Sequence, residues 1–579
     1  MPLIPSTSNT DKRWWKEGVV YQIYPSSFKD SNGDGMGDIP GIISKLDYIK
    51  DLGVDIVWLS PFYASPQVDM GYDISDYQDV YGPYGTVDDV KELIQGCHKR
   101  NIRIIFDLVV NHTSDQHAWF KESRSSKVNP KRDWYYWRPA KYDEEGNRMP
   151  PCNWRSCFGG SAWTWDETTQ EYYLNLFTPE QPDLNWENEN VRKAIYDNAM
   201  RFWLDLGVDG FRIDVVNMYS KHLPFADAPI TDTSSAWQLA VELFCNGPRM
   251  YEFLEEMNSS VLSHYDAMTV GELPCTPEPE AVLRYVSSGA KKLNMVFQMD
   301  LVSLGHGKNE KFETTEWNLL ELKAFLDKWQ CFINGNDGWT TIFLENHDQA
   351  RSISRFGSDD PAFREVSGKM LATFLCTLTG TLFLYQGQEI GMINIPKSWP
   401  IEEYKDVESL NFYNRVKAAT NNDERALSKA ISGIQAIARD HNRAPVQWDN
   451  SQHGGFTTGQ PWMRVNESFS YINVQDQEGD ETSILSFWRK AIEFRKNYKE
   501  LLVYGEFQLC DADNTKTLTY LKVHNDQKAL VVLNFTKEEQ QFIVPKEAHG
   551  QMELILSNSK ASSESKKLSP FEARVYLIN

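Results

Sequence analysis

No run of about 20 apolar residues occurs anywhere in the 579-residue chain, and this excludes a helical membrane span. The opening segment, Met1 to Trp15, has neither a basic leader nor an apolar core of signal-peptide length, so a cytoplasmic protein is expected. Basic blocks are missing too: 59 Lys and Arg face 81 Asp and Glu, for a net charge of −22. That balance argues against nucleic acid or an anionic membrane as partner and favours a small uncharged substrate. Cysteine is scarce. Eight thiols in so long a chain are no disulfide scaffold, and most, such as Cys376 after Phe374-Leu375, read as small buried hydrophobes. Cys152 and Cys157 stay open between a bridge and free thiols. There is no internal repeat, no Gly-rich fingerprint after the first apolar strand, and no H-x-H or H-E-x-x-H spacing. These absences weaken a dinucleotide-binding reading and a zinc hydrolase reading respectively. No organic cofactor is expected.

Aromatic residues are plentiful: 19 Trp, 26 Tyr and 29 Phe. Several sit in polar stretches such as Trp134-Tyr135-Tyr136-Trp137, where a minority suit stacking against sugar rings. Short β-branched runs alternate with amphipathic segments. Eight strands are predicted, at Val19–Phe28, Val54–Ser60, Ile102–Val110, Val208–Val216, Met268–Glu272, Leu293–Met299, Thr340–Glu345 and Leu382–Gln386. Helical patterns over Ile39–Leu52, Val87–Arg100 and Glu189–Leu206 lie between them. Strand–helix alternation implies parallel βαβ units, and a count of eight implies a closed (β/α)8 TIM barrel, an α/β fold.

A Trp-, Pro- and charge-rich tract after the third strand predicts a small inserted domain, and a second excursion runs from about Ile393 to Gly455. Beyond Tyr498 short alternating strands, Tyr504–Leu509, Thr517–Val523, Ala529–Phe535, Gln541–Val544 and Ala573–Ile578, predict a C-terminal antiparallel β-sandwich, with a polar loop at Ser559–Lys567. The expected division is 1–112 and 184–498 for the barrel, 113–183 for the insert and 499–579 for the sandwich.

Barrel enzymes carry reactive groups at the C-terminal ends of their strands. Four such ends here are rich in carboxylates and imidazoles: Asp107-Leu108-Val109-Val110-Asn111-His112, Arg212-Ile213-Asp214, Gly271-Glu272 and Glu345-Asn346-His347-Asp348. Arg212 and Asp214 are two residues apart and so share one strand face. A pair of carboxylates at one rim points to acid/base or glycosidic chemistry, with metal hydrolysis the competitor.

These four segments, with Gln181-Pro182-Asp183-Leu184-Asn185-Trp186, resemble the signature regions of the α-amylase superfamily of glycoside hydrolases. Tyr21-Gln22-Ile23-Tyr24-Pro25, Asp69-Met70-Gly71-Tyr72-Asp73-Ile74 and Arg439-Asp440-His441-Asn442-Arg443 resemble its oligo-1,6-glucosidase and fungal maltase/isomaltase branch, and the likeness spans essentially the whole chain. The resemblance implies a retaining exo-α-glucosidase acting on short α-glucosides. Asp214 would be the nucleophile, held ionised by Arg212. Glu272 would be the acid/base and Asp348 the third carboxylate, binding sugar hydroxyls and straining the ring. His112 and His347 would bond hydroxyls. Asp69 with Arg439 would close the pocket, Tyr72 would stack under the sugar, and Phe158, Phe177 and Gln181 would line it. Arg443 belongs to the same substrate-binding set. A retaining enzyme implies that Asp214 and Glu272 stand roughly 5–5.5 Å apart.

The stretch Asp30-Ser31-Asn32-Gly33-Asp34-Gly35-Met36-Gly37-Asp38 alternates oxygen side chains with Gly. Read alone it is equally a solvated turn and the start of a Ca²⁺ loop. The resemblance implies a structural Ca²⁺ held by Asp30, Asn32, Asp34, the Met36 carbonyl and Asp38. Val215, directly after Asp214, leans toward α-1,6 substrates within this branch. Val216-Asn217-Met218 departs from its usual patterns, and a broad maltase, with or without sucrose cleavage, stands beside that reading. A transglucosylase or sucrose isomerase is the rival on the same scaffold, and a monomer is expected.

Overall fold

The computed structural model describes residues 11–560 and 566–578. Residues 1–10, and residues 561–565 of the expected polar loop, lie outside the described residues. Eight parallel strands make the central sheet: β1 Val19–Ile23, β2 Ile56–Leu59, β3 Arg103–Leu108, β4 Gly210–Ile213, β5 Met268–Glu272, β6 Met295–Phe297, β7 Thr341–Ile342 and β8 Thr381–Tyr385. Their order is β6-β5-β4-β3-β2-β1-β8-β7. The sheet curls until Thr341 Oγ1 donates to the Val296 carbonyl at 3.2 Å, which nearly closes a (β/α)8 barrel. Most strands are shorter than their apolar runs. After β3, for example, Val109 and Val110 stay buried although the ladder has ended, because burial continues under the loops that roof the barrel.

The two-residue period of each strand sorts its side chains between two cores. Val19, Tyr21, Val57, Ile104, Phe106, Phe211 and Ile213 face outward and pack in the layer beneath the helices. Val20, Ile56, Trp58, Ile105, Met268, Val270 and Phe297 pack with one another inside the barrel. Continuing those inward rows toward the strands' C-terminal ends gives Gln22, Asp107, Arg212 and Glu272. The barrel interior thus turns from apolar to polar along its axis, and β3 and β4 pair in a register that sets Asp107 beside Arg212.

The helices follow the sequence pattern with breaks. The segment expected at Ile39–Leu52 divides into Ile39–Ile43 and Leu46–Asp51, the first capped by Asp38, whose carboxylate accepts from Gly41 N. Val87–Lys99 opens on a capping box between Thr86 and Asp89. Glu189–Asp205 is continuous but widens into a π stretch at Tyr196–Arg201. After β3 the chain forms a three-stranded antiparallel sheet, Trp137–Arg138, Glu171–Leu174 and Trp163–Asp166. The excursion after β8 contains the helices Val407–Ala419 and Glu424–Ile437, which pack together.

The C-terminal sheet has five antiparallel strands, β9 Glu506–Leu509, β10 Thr517–His524, β11 Gln527–Asn534, β12 Met552–Ser557 and β13 Ala573–Ile578, in the order β9-β10-β11-β13-β12. A ribbon of Gln540–Gln541 with Lys567–Leu568 covers part of it. The strand expected at Gln541–Val544 shrinks to that ribbon. β12 was not anticipated: Met552, Leu554, Ile555 and Leu556 are apolar, but a bulge between Leu554 and Leu556 breaks the two-residue alternation. All eight cysteines are free thiols, Cys152 and Cys157 included. Among the described residues no helix is long and apolar enough to cross a membrane.

Candidate active site

The chain leaves β4 through a strained turn. The Asp214 amide donates to the Leu108 carbonyl at 3.0 Å, and Met218 N donates to Val215 O at 2.9 Å. Val215 between them has φ +33°, a left-handed conformation rare for a β-branched residue and costing about 1–3 kcal/mol. That conformation brings the Val215 amide to 3.2 Å from Glu272 Oε2, so the backbone after one carboxylate donates to the other.

Arg212 organises the cluster. Its Nη1 donates to Asp107 Oδ1 at 2.8 Å and to Asp214 Oδ1 at 2.6 Å, and its Nη2 donates to Glu272 Oε2 at 2.7 Å. One cation therefore serves three buried carboxylates. Burial pushes Asp214 up to about 7 against the pull of Arg212, with Asp107 adding to the push. Burial likewise pushes Glu272 up to about 7, with Asp214 and Asp348 adding. Asp107 rises to about 6 for the same first reason. Arg212 pulls the Asp214 carboxyl toward its ionised form, as expected, while burial and the neighbouring carboxylates push the other way and set the net upward direction.

Asp348 has the opposite balance. Burial pushes it up, but Arg439 Nη1 at 3.0 Å and Arg443 Nη2 at 3.2 Å both donate to its Oδ1, and His347 lies at 3.2 Å from its Oδ2. It is held well below the usual carboxylate range. Burial pushes the His347 pKa down, so the two arginines carry that effect. The His347 tautomer follows from its neighbours. The Tyr72 hydroxyl lies 3.1 Å from Asp107 Oδ2 and 2.7 Å from His347 Nε2, so donation to Asp107 leaves the phenol oxygen to accept from Nε2–H. His347 Nδ1 then accepts from Gln22 Nε2 at 2.8 Å. The His347 and Tyr72 rings stack 5.2 Å apart.

The blind end of the pocket is an ion network. Arg439 donates to Asp69 Oδ1 at 3.0 Å and to Asp406 Oδ1 at 2.6 Å, besides Asp348. Burial raises Asp406, yet Arg439 and Arg443 bring it down to about 2. Asp69 stays raised by burial. The Asp69–Tyr72 turn needs positive φ at Met70 and Gly71, where an added Cβ would sit 2.9 Å from the Pro61 carbonyl. Asp73 pins the turn by accepting from Val68 N and Asp69 N at 2.9 and 3.1 Å.

The inserted segment is tied down by a buried pair, Lys221 Nζ to Asp183 Oδ2 at 2.8 Å. Asn111 bridges both partners, donating to Asp183 and accepting from Lys221 at 3.1 Å each. This anchors Gln181, whose amide donates to Asp69 Oδ2 at 3.2 Å. His112 Nε2 donates to the Tyr72 carbonyl at 3.0 Å, and its ring lies 5.0 Å from that of Phe177.

These groups surround a pocket of ≈ 230 Å³, below the roughly 300–1,000 Å³ of drug-sized sites and suited to one sugar ring. Asp69, Tyr72, His112, Phe158, Phe177, Asp214, Val215, Glu272, Asp348 and Arg439 line it. Gln181, Arg212, His347 and Arg443 are 2% exposed or less and stand behind that lining as supports. Four lining residues were missed from the sequence: His306, Lys311, Gln349 and Glu408. Gln349, adjoining Asp348, had a usable signal; the others lie on excursions whose course no periodicity reveals. The Lys311–Glu408 ion pair, 2.7 Å, crosses the pocket mouth.

Away from the pocket, the 30–38 loop is held by its own side chains. Asp30 Oδ1 accepts from Asn32 N and Gly33 N, Asn32 Oδ1 from Asp34 N, and Asp34 Oδ1 from Met36 N. Asp38 Oδ2 accepts from Ser31. Among the described residues no three His, Cys, Asp or Glu side chains converge as a metal site.

The model of the alpha amylase catalytic domain family matches residues 22–505. An alpha-glucosidase of Candida albicans is 52% identical over 98% of this chain and 100% of its own length. An oligo-1,6-glucosidase of Saccharomyces cerevisiae is 46% identical over the full length of both. The crystal structure of an isomaltulose synthase from Erwinia rhapontici, in complex with sucrose, superposes with a TM-score of 0.92 at 39% identity, covering 98% of this chain and 100% of that one.

Proposed function

The chain belongs to the alpha-amylase family and is an α-glucosidase, a glycoside hydrolase; on that premise we propose that Asp214 and Glu272 divide the chemistry of a double displacement. Asp214 attacks the anomeric carbon and forms the glucosyl ester, while Glu272 protonates the departing oxygen. Glu272 then takes a proton from the water that releases glucose. The observation that carries this reading is the single guanidinium of Arg212 bonded to both carboxylates. A pair that shares a cation and retains a proton near neutrality suits one nucleophile and one acid. Asp348, kept anionic by Arg439 and Arg443, binds hydroxyls of the terminal glucose and stabilises positive charge as the ring flattens. Asp69 and Arg439 close the non-reducing end, so glucose is removed one unit at a time.

Maltose-type α-1,4 substrates are the preferred class, in line with the 52% identical alpha-glucosidase. A second reading, α-1,6 preference, is favoured by Val215 on the pocket wall and by the oligo-1,6-glucosidase relative. Rates on maltose, isomaltose and sucrose decide between them: isomaltose outrunning maltose overturns the first. Formation of isomaltulose from sucrose in place of glucose release would overturn hydrolysis itself.

The 30–38 loop fits a Ca²⁺ ion by donor chemistry, since Asp30, Asn32, Asp34, the Met36 carbonyl and Asp38 offer only oxygen. The ion would brace the loop after β1 and take no part in bond cleavage. Eight unpaired thiols support a reducing, cytoplasmic setting, and we read the enzyme as a monomer.

A further inference from the structure

A second cavity, of ≈ 700 Å³, is walled by the same 304–317 segment that gives His306 and Lys311 to the catalytic pocket. Its volume lies inside the roughly 300–1,000 Å³ range of small-molecule sites. Two cations line it, Arg355 and Lys397. Arg355 Nη1 donates to Gln349 Oε1 at 3.0 Å and its Nη2 to the Leu304 carbonyl at 2.8 Å, both neutral acceptors. Among the described residues no carboxylate lies within ion-pair distance of either cation. Burial lowers the Arg355 pKa to about 10 with no anion opposing it. Arg355 is partly buried and Lys397 exposed, and even a partly buried guanidinium without a counter-charge is costly. Of the two acids on the same wall, Glu467 is already engaged by Arg464 and Asp359 is exposed. Trp317 and Tyr471 add aromatic surface of the kind that packs on sugar rings.

We propose that this cavity binds a phosphorylated monosaccharide, with its phosphate on Arg355 and Lys397 and its ring against Trp317 and Tyr471. A guanidinium fork suits phosphate. Binding is coupled to the catalytic pocket, because Arg355 can turn toward the ligand only by loosening its bond to Gln349, which lines that pocket beside Asp348. The binding claim stands apart from the glucosidase reading; only the coupling rests on it.

Calorimetry on the full-length protein tests the site with glucose 6-phosphate, inorganic phosphate and glucose as probes. Saturable binding of glucose 6-phosphate, tighter than of phosphate and persisting with an iminosugar in the catalytic pocket, is expected. Lys397→Met weakens it about tenfold, or 1.4 kcal/mol, while hydrolysis without phosphate is unchanged. Arg355→Gln weakens it at least as much; should that variant fail to fold, Lys397→Met and Trp317→Ala carry the test. Saturating glucose 6-phosphate shifts the KM for a chromogenic α-glucoside about fivefold. No binding at millimolar probe, binding abolished by the iminosugar, or affinity indifferent to Lys397→Met and Arg355→Gln overturns the site. Binding with unaltered kinetics overturns the coupling.

Discussion

Nη2 of Arg212 donates to Oε2 of Glu272 at 2.7 Å, while the other arm of the same guanidinium reaches Asp214. Removing the cation strands three carboxylates in a desolvated site. Breaking one partner out of a buried pair costs about 3–5 kcal/mol. Arg212→Gln is expected to lower the melting temperature and to cut kcat on a chromogenic α-glucoside by about 10³-fold or more. Arg212→Lys, a point charge without the fork, rescues only part of either loss. Thermal denaturation and steady-state kinetics on the same preparations check this, and near-native turnover in Arg212→Gln would remove Arg212 from the mechanism.

A covalent intermediate leaves a mark. A slow 2-fluoroglucoside should inactivate the enzyme and add one glycosyl mass to the peptide containing Asp214. Asp214→Ala should abolish labelling and reduce turnover by about 10³-fold or more. Label on Glu272 instead would reverse the two roles.

Stability should depend on pH through the same cluster. Asp214 and Glu272 stand near 7 when folded, against usual values of 3.8 and 4.5. Between those limits the folded state holds more protons than the unfolded chain, so stability falls as pH rises from about 4 to about 7. Asp406, at about 2 when folded, contributes the opposite slope only below its unfolded value. Glu272→Gln is therefore expected to melt higher than wild type at pH 7.5 and to show a shallower decline from pH 5 to 7. A melting point lowered equally at both pH values would contradict the protonated cluster. The kcat/KM profile should be bell-shaped, its two apparent pKa values belonging to the coupled pair.

Chelation tests the 30–38 loop. EDTA should lower the melting temperature, and added Ca²⁺ should restore it, with kcat at 25 °C unaltered because the loop lies away from the pocket. Asp34→Ala should abolish the response. Melting indifferent to both reagents would leave the loop a self-bonded turn.

Much of this was legible in the chain. Strands buried on both faces read as apolar runs, and interruptions such as Arg212 and Asp214 stand out because desolvating charge needs a reason. Boundaries were less legible: Val109 and Val110 look like strand but are buried under a roof the insert supplies. Arg212 and its pull on Asp214 were legible, but sequence does not disclose that Asp107 and Glu272 share the same cation or how far burial opposes it. His306 and Lys311 come from a segment without period, and Glu408 opens the helix Val407–Ala419, whose placement at the pocket depends on contacts distant in sequence. β12 escaped because the bulge between Leu554 and Leu556 breaks the apolar–polar alternation that marks a strand.

With Asp69 and Arg439 closing the non-reducing end as proposed, the pocket is a cul-de-sac. Freed glucose must leave by the opening through which the next sugar arrives, past Lys311 and Glu408. Traffic is therefore single-file. At high sugar concentration a sugar standing in that doorway competes with water for the glucosyl ester, and chain lengthening is expected to rise against hydrolysis.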